Sequence, residues 1–222
     1  MKEVKKKILN NSLYTRIRRN AIRDKIFPDI LMPSFSPSLE LKVTYEDGLA
    51  VRKGHMVAPQ RLVTPPRVEF VGLEAAKYTF VMSSPDELSA KGKESLHWLV
   101  TNIAGSNFAS GEHLCKYLPP IPVRGVTEEA RYAFVLMEHP TAEPLQFSHL
   151  LRDGRSGWST YALKEEFDLK PVGLCYFKSR WDASVSQTWQ SFFPSLKEPV
   201  LEDATEMDDS HLYKRSKYIW LQ

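Results

Sequence analysis

The side chains best suited to bind a metal ion are scattered along this chain. Its six histidines stand at positions 55, 97, 113, 139, 149 and 211, and no two lie within five residues of each other. The sequence has no CxxC or HExxH motif, the spacings that place metal ligands on one turn or one helix face. We therefore expect no metal site. Cys115 and Cys175 are too few for a disulfide framework, and we interpret them as free buried thiols of an intracellular protein.

The signatures of nucleophilic and nucleotide-binding enzymes are also absent. The sequence contains no GxSxG elbow, no Walker loop and no dinucleotide fingerprint. Residues 153–157 contain two glycines but lack the strand-to-helix setting of a phosphate loop, so a plain turn is favoured. We expect no catalytic residue, no cofactor and no small-molecule substrate.

Two polar side chains fall in segments that should be buried. His97 stands beside Trp98 in one apolar run, and Tyr132 follows Arg131 at the start of another. Buried polar groups need hydrogen-bond partners. Composition and spacing favour two satisfied core groups, and the alternative is the floor of a small anion pocket.

The elements that must position these side chains are predicted to be mainly strands. Hydrophobic residues alternate from Leu39 onward, and further strands are predicted at 67–71, 77–83, 96–103, 131–137 and 172–178. Helices are predicted at about 161–167 and after Asp182, which suits an N-cap. Strands separated by turns, with few and late helices, indicate a mainly antiparallel β domain with peripheral helices.

The composition fits one globular core. The chain has 222 residues, of which 42% are hydrophobic and 26% charged. This length is enough for one hydrophobic core of ordinary size but short for two separate domains. No run of eighteen apolar residues occurs and no apolar stretch follows the basic start. We therefore expect neither a membrane-spanning helix nor a secretory signal.

Positive charge is concentrated at the N-terminus. Residues 1–25 hold nine Lys or Arg against Glu3 and Asp24, a balance of +7, whereas residues 26–222 have a balance of −4. Hydrophobic residues at spacings near four predict an amphipathic helix over about 4–25, and three prolines predict an extended linker after it. The C-terminal end, around 213–220, is basic and aromatic.

Such extensions have the composition for contacts with RNA phosphates and bases. An arm of this kind is also typical of a solvated amphipathic helix or of a transit-like sequence. The residues that we predict to contact RNA or protein cluster in both extensions: Arg16, Arg18, Arg19, Arg23, Lys214 and Arg215.

Five short motifs occur in the order and spacing of a known family. They are Ser84-Pro85-Asp86, the run LHWLVTNIAG from Leu96, Tyr117-Leu118-Pro119-Pro120, Arg131-Tyr132 and Trp181-Asp182. In these motifs residues 39–195 resemble the phosphatidylethanolamine-binding protein family. The resemblance implies an antiparallel β-sandwich with flanking helices. The domain organisation is then a basic helical arm and Pro-rich linker at 1–38, the family domain at 39–195 and a C-terminal extension at 196–222.

The resemblance also implies an anion pocket, with departures at two positions. The strand histidine of the family corresponds to His97, the tyrosine to Tyr132 and the second acid of the Asp-Pro-Asp motif to Asp86. The first acid is replaced by Ser84 and a second histidine by Ala130. Losing two contacts to a charged ligand should cost several kcal/mol, at about 1.5–3 kcal/mol each. We therefore expect a vestigial pocket.

The stretches LHWLVTNIAG, YLPPIPVRG, CYFKSRWDASV and LKEPVLE resemble a branch of this family found in the mitochondrial ribosome. This resemblance implies a non-enzymatic structural component of the large ribosomal subunit, in its central protuberance in the mitochondrial matrix. Its partners would be the large-subunit rRNA and neighbouring mitochondrial ribosomal proteins, and its role would be in mitochondrial translation. The alternative is a free-standing family member that regulates by binding phospholipid or another anion, and this alternative needs an intact pocket.

Overall fold

The computed structural model describes residues 2–31, 33–52, 54–87, 93–125, 129–147 and 154–200, with side chains described from Leu13 onward. Four α-helices are present in these residues: α1 (Lys2–Arg23), α2 (Ile26–Asp29), α3 (Thr160–Glu166) and α4 (Ala183–Phe192). Nine strands accompany them there: β1 (Lys42–Thr44), β2 (His55–Met56), β3 (Arg67–Glu69), β4 (Lys77–Ser84), β5 (Glu94–Ala104), β6 (Glu112–Cys115), β7 (Ala130–Glu138), β8 (Ser156–Trp158) and β9 (Lys170–Ser179).

The strands form one large and one small sheet. The large sheet has the order β2-β9-β7-β4-β5-β6, with β8 beside β5, and the small sheet pairs β1 with β3. The pairings described are antiparallel except that of β2 with β9. The prediction of a mainly antiparallel β domain with peripheral helices is confirmed.

Both faces of the large sheet are buried. Neighbouring residues of a strand point to opposite faces of the sheet, so each central strand contributes side chains to two layers. On β4, Phe80 and Met82 join a cluster that also contains Val43 and Val68 of the small sheet. Val81, between them, joins a second cluster with Leu163 of α3 and the residues around α2. The central strands therefore separate two apolar layers, as the two-sided hydrophobicity of residues 96–103 indicates.

The segment after α1 is part of this second layer. Ile26, Phe27, Ile30 and Leu31 are each no more than 4% exposed and pack in the second cluster. Burying a large apolar side chain contributes about 1.5–3 kcal/mol, which fixes the segment despite its prolines. The prediction of an extended segment is therefore wrong for residues 26–29, where α2 lies, and residues 26, 27, 30 and 31 pack against the domain.

The C-terminal end of the described chain also packs back onto the domain. The Asp182 side chain caps α4 by accepting from the Ser184 N–H at 2.8 Å, as predicted. Trp181 Nε1 donates to Glu198 at 2.7 Å, and Val200 pairs with Arg124. Lys214 and Arg215 lie outside the described residues. Cys115 and Cys175 are free and buried, which confirms the interpretation of two unpaired thiols.

Candidate functional site

His97 and Tyr132 meet in the interior of the domain. His97 lies on β5 and Tyr132 on β7, and both are fully buried. Their rings are in edge contact, with centroids 5.2 Å apart. The Tyr132 ring also stacks on Phe177 of β9, its partner in the sheet register, with centroids 5.2 Å apart. The structure thus brings together the two polar side chains that the sequence placed in separate strands.

A carboxylate of the chain itself lies between them. Glu87 directly follows the Ser84-Pro85-Asp86 motif, and its side chain is 4% exposed. Its Oε2 lies 3.0 Å from His97 Nε2. Its Oε1 accepts from the Tyr132 hydroxyl at 2.7 Å and from the Ile121 N–H at 2.9 Å. We call these three partners of Glu87, from His97, Tyr132 and Ile121, the cradle.

The hydrogens of the cradle follow from its partners. His97 Nδ1 lies 3.0 Å from the Leu118 carbonyl, which can only accept, so Nδ1 carries a hydrogen. Burial raises the pKa of the Tyr132 hydroxyl well above its usual value, and the charge of Glu87 raises it further. Tyr132 is therefore a permanent donor to Glu87.

The backbone donor of the cradle is held by α4. The side chains of Leu118 and Ile121 form a third apolar cluster with Val185 and Trp189 of α4. The Leu118 N–H also donates to the His97 carbonyl at 2.8 Å, which fixes the 118–121 segment beside β5. The helix that follows the Trp181-Asp182 motif therefore supports the Ile121 N–H in the position that Glu87 uses.

The two departures from the family pattern have different consequences. Ser84 is fully buried at the end of β4, and its hydroxyl lies 3.3 Å from the Asp86 N–H. Ala130 begins β7 and lines an outer cavity of about 450 Å³ together with Asp86, Pro122 and Arg131. Neither supplies a contact to Glu87. The predicted pocket is therefore filled from inside rather than left vacant.

Asp86 faces away from the cradle and binds Arg131. Its Oδ2 accepts from Arg131 Nε at 2.7 Å and from the Arg131 backbone N–H at 2.8 Å, and Oδ1 accepts from Nη2 at 2.6 Å. Burial would lower the pKa of Arg131, but the carboxylates of Asp86 and Asp29 outweigh it and the pKa is raised. Asp86 is thus a structural partner of Arg131 and not a part of the cradle.

The same arginine fastens the N-terminal arm. Arg131 Nη1 donates to the backbone carbonyls of Asp24 and Lys25, at 2.9 and 2.8 Å, just beyond the end of α1. Asp24 accepts from the Tyr176 hydroxyl at 2.7 Å. Burial would raise the pKa of Asp24, but bonds from Arg23 and Tyr176 and the charge of Lys178 outweigh it, so the pKa is lowered. The arm is therefore anchored at its C-terminal end.

The arginines predicted to contact RNA lie on α1 beyond this anchor. Arg16 and Arg19 are exposed, and in the described part of the chain no hydrogen bond or ion pair engages them. Arg18 is half-buried and donates to Ser34 Oγ at 2.9 Å, and Arg23 pairs with Asp24 at 3.0 Å. Two of the four guanidinium groups thus face solvent freely.

A second buried carboxyl group lies on β5, the strand that also carries His97. Glu94, at the start of β5, is 3% exposed. Its Oε2 accepts from Ser83 Oγ at 2.5 Å and Thr160 Oγ1 at 2.6 Å, and its Oε1 accepts from the Thr160 N–H at 2.6 Å. Burial raises its pKa to about 7, although the three hydrogen bonds act in the opposite direction. This cluster, which we call the clip, joins β4 and β5 to the first residue of α3.

Sequence reasoning missed Glu87, Ile121 and Arg131 as partners of the predicted pocket residues. A signal for Glu87 was present, since it stands next to the acidic motif of the family. Nothing in the sequence indicates that Ile121, 34 residues away, turns its N–H toward it. Among the described residues, no group of three or more His, Cys, Asp or Glu is placed to hold a metal ion. None of the described helices has the length and apolar character needed to cross a membrane.

Comparisons with known proteins agree with the fold. The chain is 32% identical to the protein BROTHER of FT and TFL 1 of Arabidopsis thaliana over 162 residues, which are 70% of this chain and 88% of that one. The solved structure of carboxypeptidase Y inhibitor, complexed with its cognate proteinase, covers 76% of this chain and 96% of its own at a TM-score of 0.67 and 20% identity. The phosphatidylethanolamine-binding protein of Plasmodium vivax covers 74% and 97% at 0.60 and 19%. No family model matches the chain.

Proposed function

The chain belongs to the phosphatidylethanolamine-binding protein family, and from this premise we propose that it is a structural component of the mitochondrial large ribosomal subunit. In its motifs the chain resembles mitochondrial large ribosomal subunit protein thirty-eight. The proposed role is architectural and non-enzymatic, in the central protuberance, in support of mitochondrial translation. The proposed partners are the large-subunit rRNA and the neighbouring ribosomal proteins of the mitochondrial matrix.

The observation that carries this proposal is the anchored basic helix. Arg131 and Asp24 hold the C-terminal end of α1 on the domain, while Arg16 and Arg19 are exposed and have no acidic partner among the described residues. Arginine is suited to phosphate, because its planar fork of donors matches the phosphate oxygens. Each phosphate that an arginine neutralises releases a counterion from the RNA, which favours binding. Because the arm is already fixed in orientation, it need not become ordered when it binds.

The filled cradle supports a scaffold role over a ligand-binding one. A ligand would have to displace Glu87, which already satisfies the hydrogen bonds of His97, Tyr132 and Ile121. A free-standing anion binder needs these donors to be available. The surfaces outside the pocket therefore remain as the sites of function.

Sedimentation of mitochondrial lysate tests the proposal. We expect the full-length chain to follow the large subunit through a sucrose gradient and to be crosslinked to rRNA through α1. The double variant Arg16→Glu/Arg19→Glu should reduce this association, because it reverses the charge that faces phosphate. Arg52→Glu/Arg61→Glu, which makes the same charge change on exposed arginines elsewhere, is the matched control. If the wild-type chain remained at the top of the gradient, the ribosomal role would be wrong.

A free-standing regulator is the second candidate function. It is favoured by the likeness to carboxypeptidase Y inhibitor, whose structure was solved in complex with a proteinase. That likeness, at 20% identity, concerns the fold alone. The same gradient separates the two candidates, since a free-standing regulator should stay in the light fractions and should not depend on Arg16 or Arg19.

A further inference from the structure

A cavity of about 320 Å³ lies beneath the N-terminal arm, between α1, the β1 region and β9. We call it the arm cavity. Apolar side chains form most of its wall, among them Leu13, Ile17, Val43, Val51, Leu174 and Cys175. None of the residues that line it belongs to the cradle or to the outer cavity. The arm cavity therefore shares no residue with the pocket that Glu87 fills.

The apolar stripe of α1 packs unevenly along the helix. Leu13, Ile17 and Ala21 recur every four residues and therefore share one face. Ala21 is fully buried, close to the end of α1 that Asp24 and Arg131 hold. Leu13 and Ile17, one and two turns earlier, are only half-buried and line the arm cavity. The anchored end of the arm thus packs closely, and the next two turns leave apolar surface uncovered.

The arm cavity is elongated along the chain that leads into β1. Five consecutive residues, 40–44, line it, and at about 3.3 Å per residue they extend over about 13 Å. At about 30 Å³ for a water-sized group, its volume holds roughly ten such groups. An unbranched carboxylic acid of about eight carbons has about this number of heavy atoms. The length and the volume therefore suit an aliphatic chain better than a compact ring.

The opening of the arm cavity is positively charged. Lys42 and Arg52 both line it and are exposed. Lys42 Nζ lies 3.8 Å from Glu40 Oε2, which offsets its charge. The Arg52 guanidinium has no hydrogen-bond or ion-pair partner among the residues that the structure describes. Its planar fork of donors matches the two oxygens of a carboxylate, and its single charge matches theirs.

We propose that the arm cavity binds a medium-chain fatty acid of about eight carbons, with its chain beneath α1 and its carboxylate at Arg52. This ligand covers the apolar surface that Leu13 and Ile17 leave exposed. It also attaches α1 to the domain at a second place, one to two turns from the anchor at Asp24. The inference does not rest on the ribosomal role, which the sedimentation experiment tests separately.

A series of chain lengths tests the proposal on the unmodified protein. The full-length chain is titrated calorimetrically with butanoate, hexanoate, octanoate, decanoate and dodecanoate. We expect the affinity to rise about fourfold for each added CH₂ up to octanoate, since each CH₂ leaves water for an apolar wall. It should rise little between decanoate and dodecanoate, because the cavity is then full. Equal affinities for butanoate and octanoate, or no saturable binding of octanoate, would overturn the proposal.

A matched pair of variants on α1 tests where the fatty acid binds. Leu13→Trp places an indole in the cavity and should lower the affinity for octanoate at least about tenfold, because the indole occupies the space of several methylene groups. Ile22→Trp enlarges a side chain of the same helix that is 46% exposed and lies outside the cavity, and it should bind as the wild type does. Unchanged affinity in Leu13→Trp would contradict the assignment.

The location can also be tested without a substitution, in case Leu13→Trp does not fold. Octanoate should shift the methyl resonances of Leu13, Ile17 and Val43 in NMR spectra of the wild-type protein, because these side chains line the cavity. Saturable binding that leaves all three resonances unchanged would mean that octanoate binds at another place, and the proposal would be wrong.

The head group is tested at Arg52. Arg52→Gln should lower the affinity for octanoate about three- to fivefold, the scale of an exposed ion pair, and should change that for 1-octanol less than twofold. Arg61→Gln neutralises another exposed arginine that does not line the cavity, and it should have no effect on either ligand. An equal loss for octanoate and 1-octanol would contradict recognition of the carboxylate by Arg52.

Discussion

Glu87 and Glu94 lie at the two ends of the connection between β4 and β5, and both carboxyl groups are buried, but they meet different donors. Glu87 is bound by a histidine, a phenol and a backbone N–H. Glu94 is bound by two hydroxyl groups and a backbone N–H, and burial raises its pKa to about 7. Among the described contacts, an imidazole lies beside the carboxylate of the cradle and two hydroxyl groups lie beside the carboxyl group of the clip.

The difference shows two roles for a buried carboxyl group. Glu87 occupies a pocket as an internal ligand, whereas Glu94 connects β4 and β5 to α3. The cradle collects donors from distant segments, which would be left unpaired without Glu87. In the clip, Ser83 Oγ and Thr160 Oγ1 already lie 3.3 Å apart and could bond each other. Without Glu94 the two hydroxyl groups of the clip can therefore pair with each other and only the Thr160 N–H loses its partner, whereas all three groups of the cradle lose theirs without Glu87.

Removing each carboxyl group gives the largest expected effect. Glu87→Ala should lower the free energy of unfolding by about 3–5 kcal/mol, because it leaves a histidine, a hydroxyl and an N–H buried without a partner. Glu94→Ala should cost less, roughly 1–3 kcal/mol, since its hydroxyl partners can pair with each other. Urea unfolding near neutral pH measures both. If Glu94→Ala lowered the free energy of unfolding more than Glu87→Ala, the distinction between the roles of the two carboxyl groups would be wrong.

The clip should make its own contribution to the pH dependence of stability. Folding raises the pKa of Glu94 from 4.5 to about 7. Between these values Glu94 is protonated more in the folded than in the unfolded state, so its contribution to stability falls as the pH rises through this window. The difference corresponds to roughly 3 kcal/mol.

Glu94→Gln tests this pH dependence, because glutamine cannot titrate but retains a similar shape. The free energy of unfolding of the variant, measured from about pH 5 to pH 8, should rise relative to wild type as the pH increases. Glu74→Gln, a neutralised exposed glutamate elsewhere, is the matched control and should follow the wild type. A difference between Glu94→Gln and wild type that stays constant with pH would contradict the assignment.

The sequence predicted the strands around Glu87 and Glu94 better than it predicted the contacts of these two carboxyl groups. The strand predicted at 77–83 is present as β4, and its Tyr78, Phe80 and Met82 lie in the cluster that contains the small sheet. Such patterns depend on neighbours within a few residues. The resemblance likewise identified His97 and Tyr132, whose rings are in contact.

The occupancy of the pocket could not be predicted in the same way. Ser84 and Ala130 indicated a loss of ligand contacts, but not that Glu87 would fill the space. That outcome depends on Ile121, whose N–H direction is set by packing against α4, far along the chain. The burial of Ile26 and Phe27 was missed for a similar reason, because the prolines near them favoured an extended segment and tertiary packing prevailed.

Single hydroxyl groups give the smallest expected effects and the sharpest test of the comparison. Tyr132→Phe removes one donor to Glu87 and should cost roughly 1.5–2 kcal/mol, near the lower end for a bond to a charged group. Ser83→Ala removes one donor to Glu94 and should cost about 1 kcal/mol, because Thr160 Oγ1 still donates to the same oxygen. Urea unfolding at a series of pH values measures both.

The two variants should also differ in their dependence on pH. The Ser83 hydroxyl favours the charged form of Glu94, so Ser83→Ala should raise the pKa of Glu94 above its present value of about 7. Its cost should therefore increase as the pH rises through that value, whereas the cost of Tyr132→Phe should not follow the titration of Glu94. Equal pH profiles for the two variants would mean that the cradle and the clip are one coupled unit, because removal of a donor from one would then alter the titration of the other.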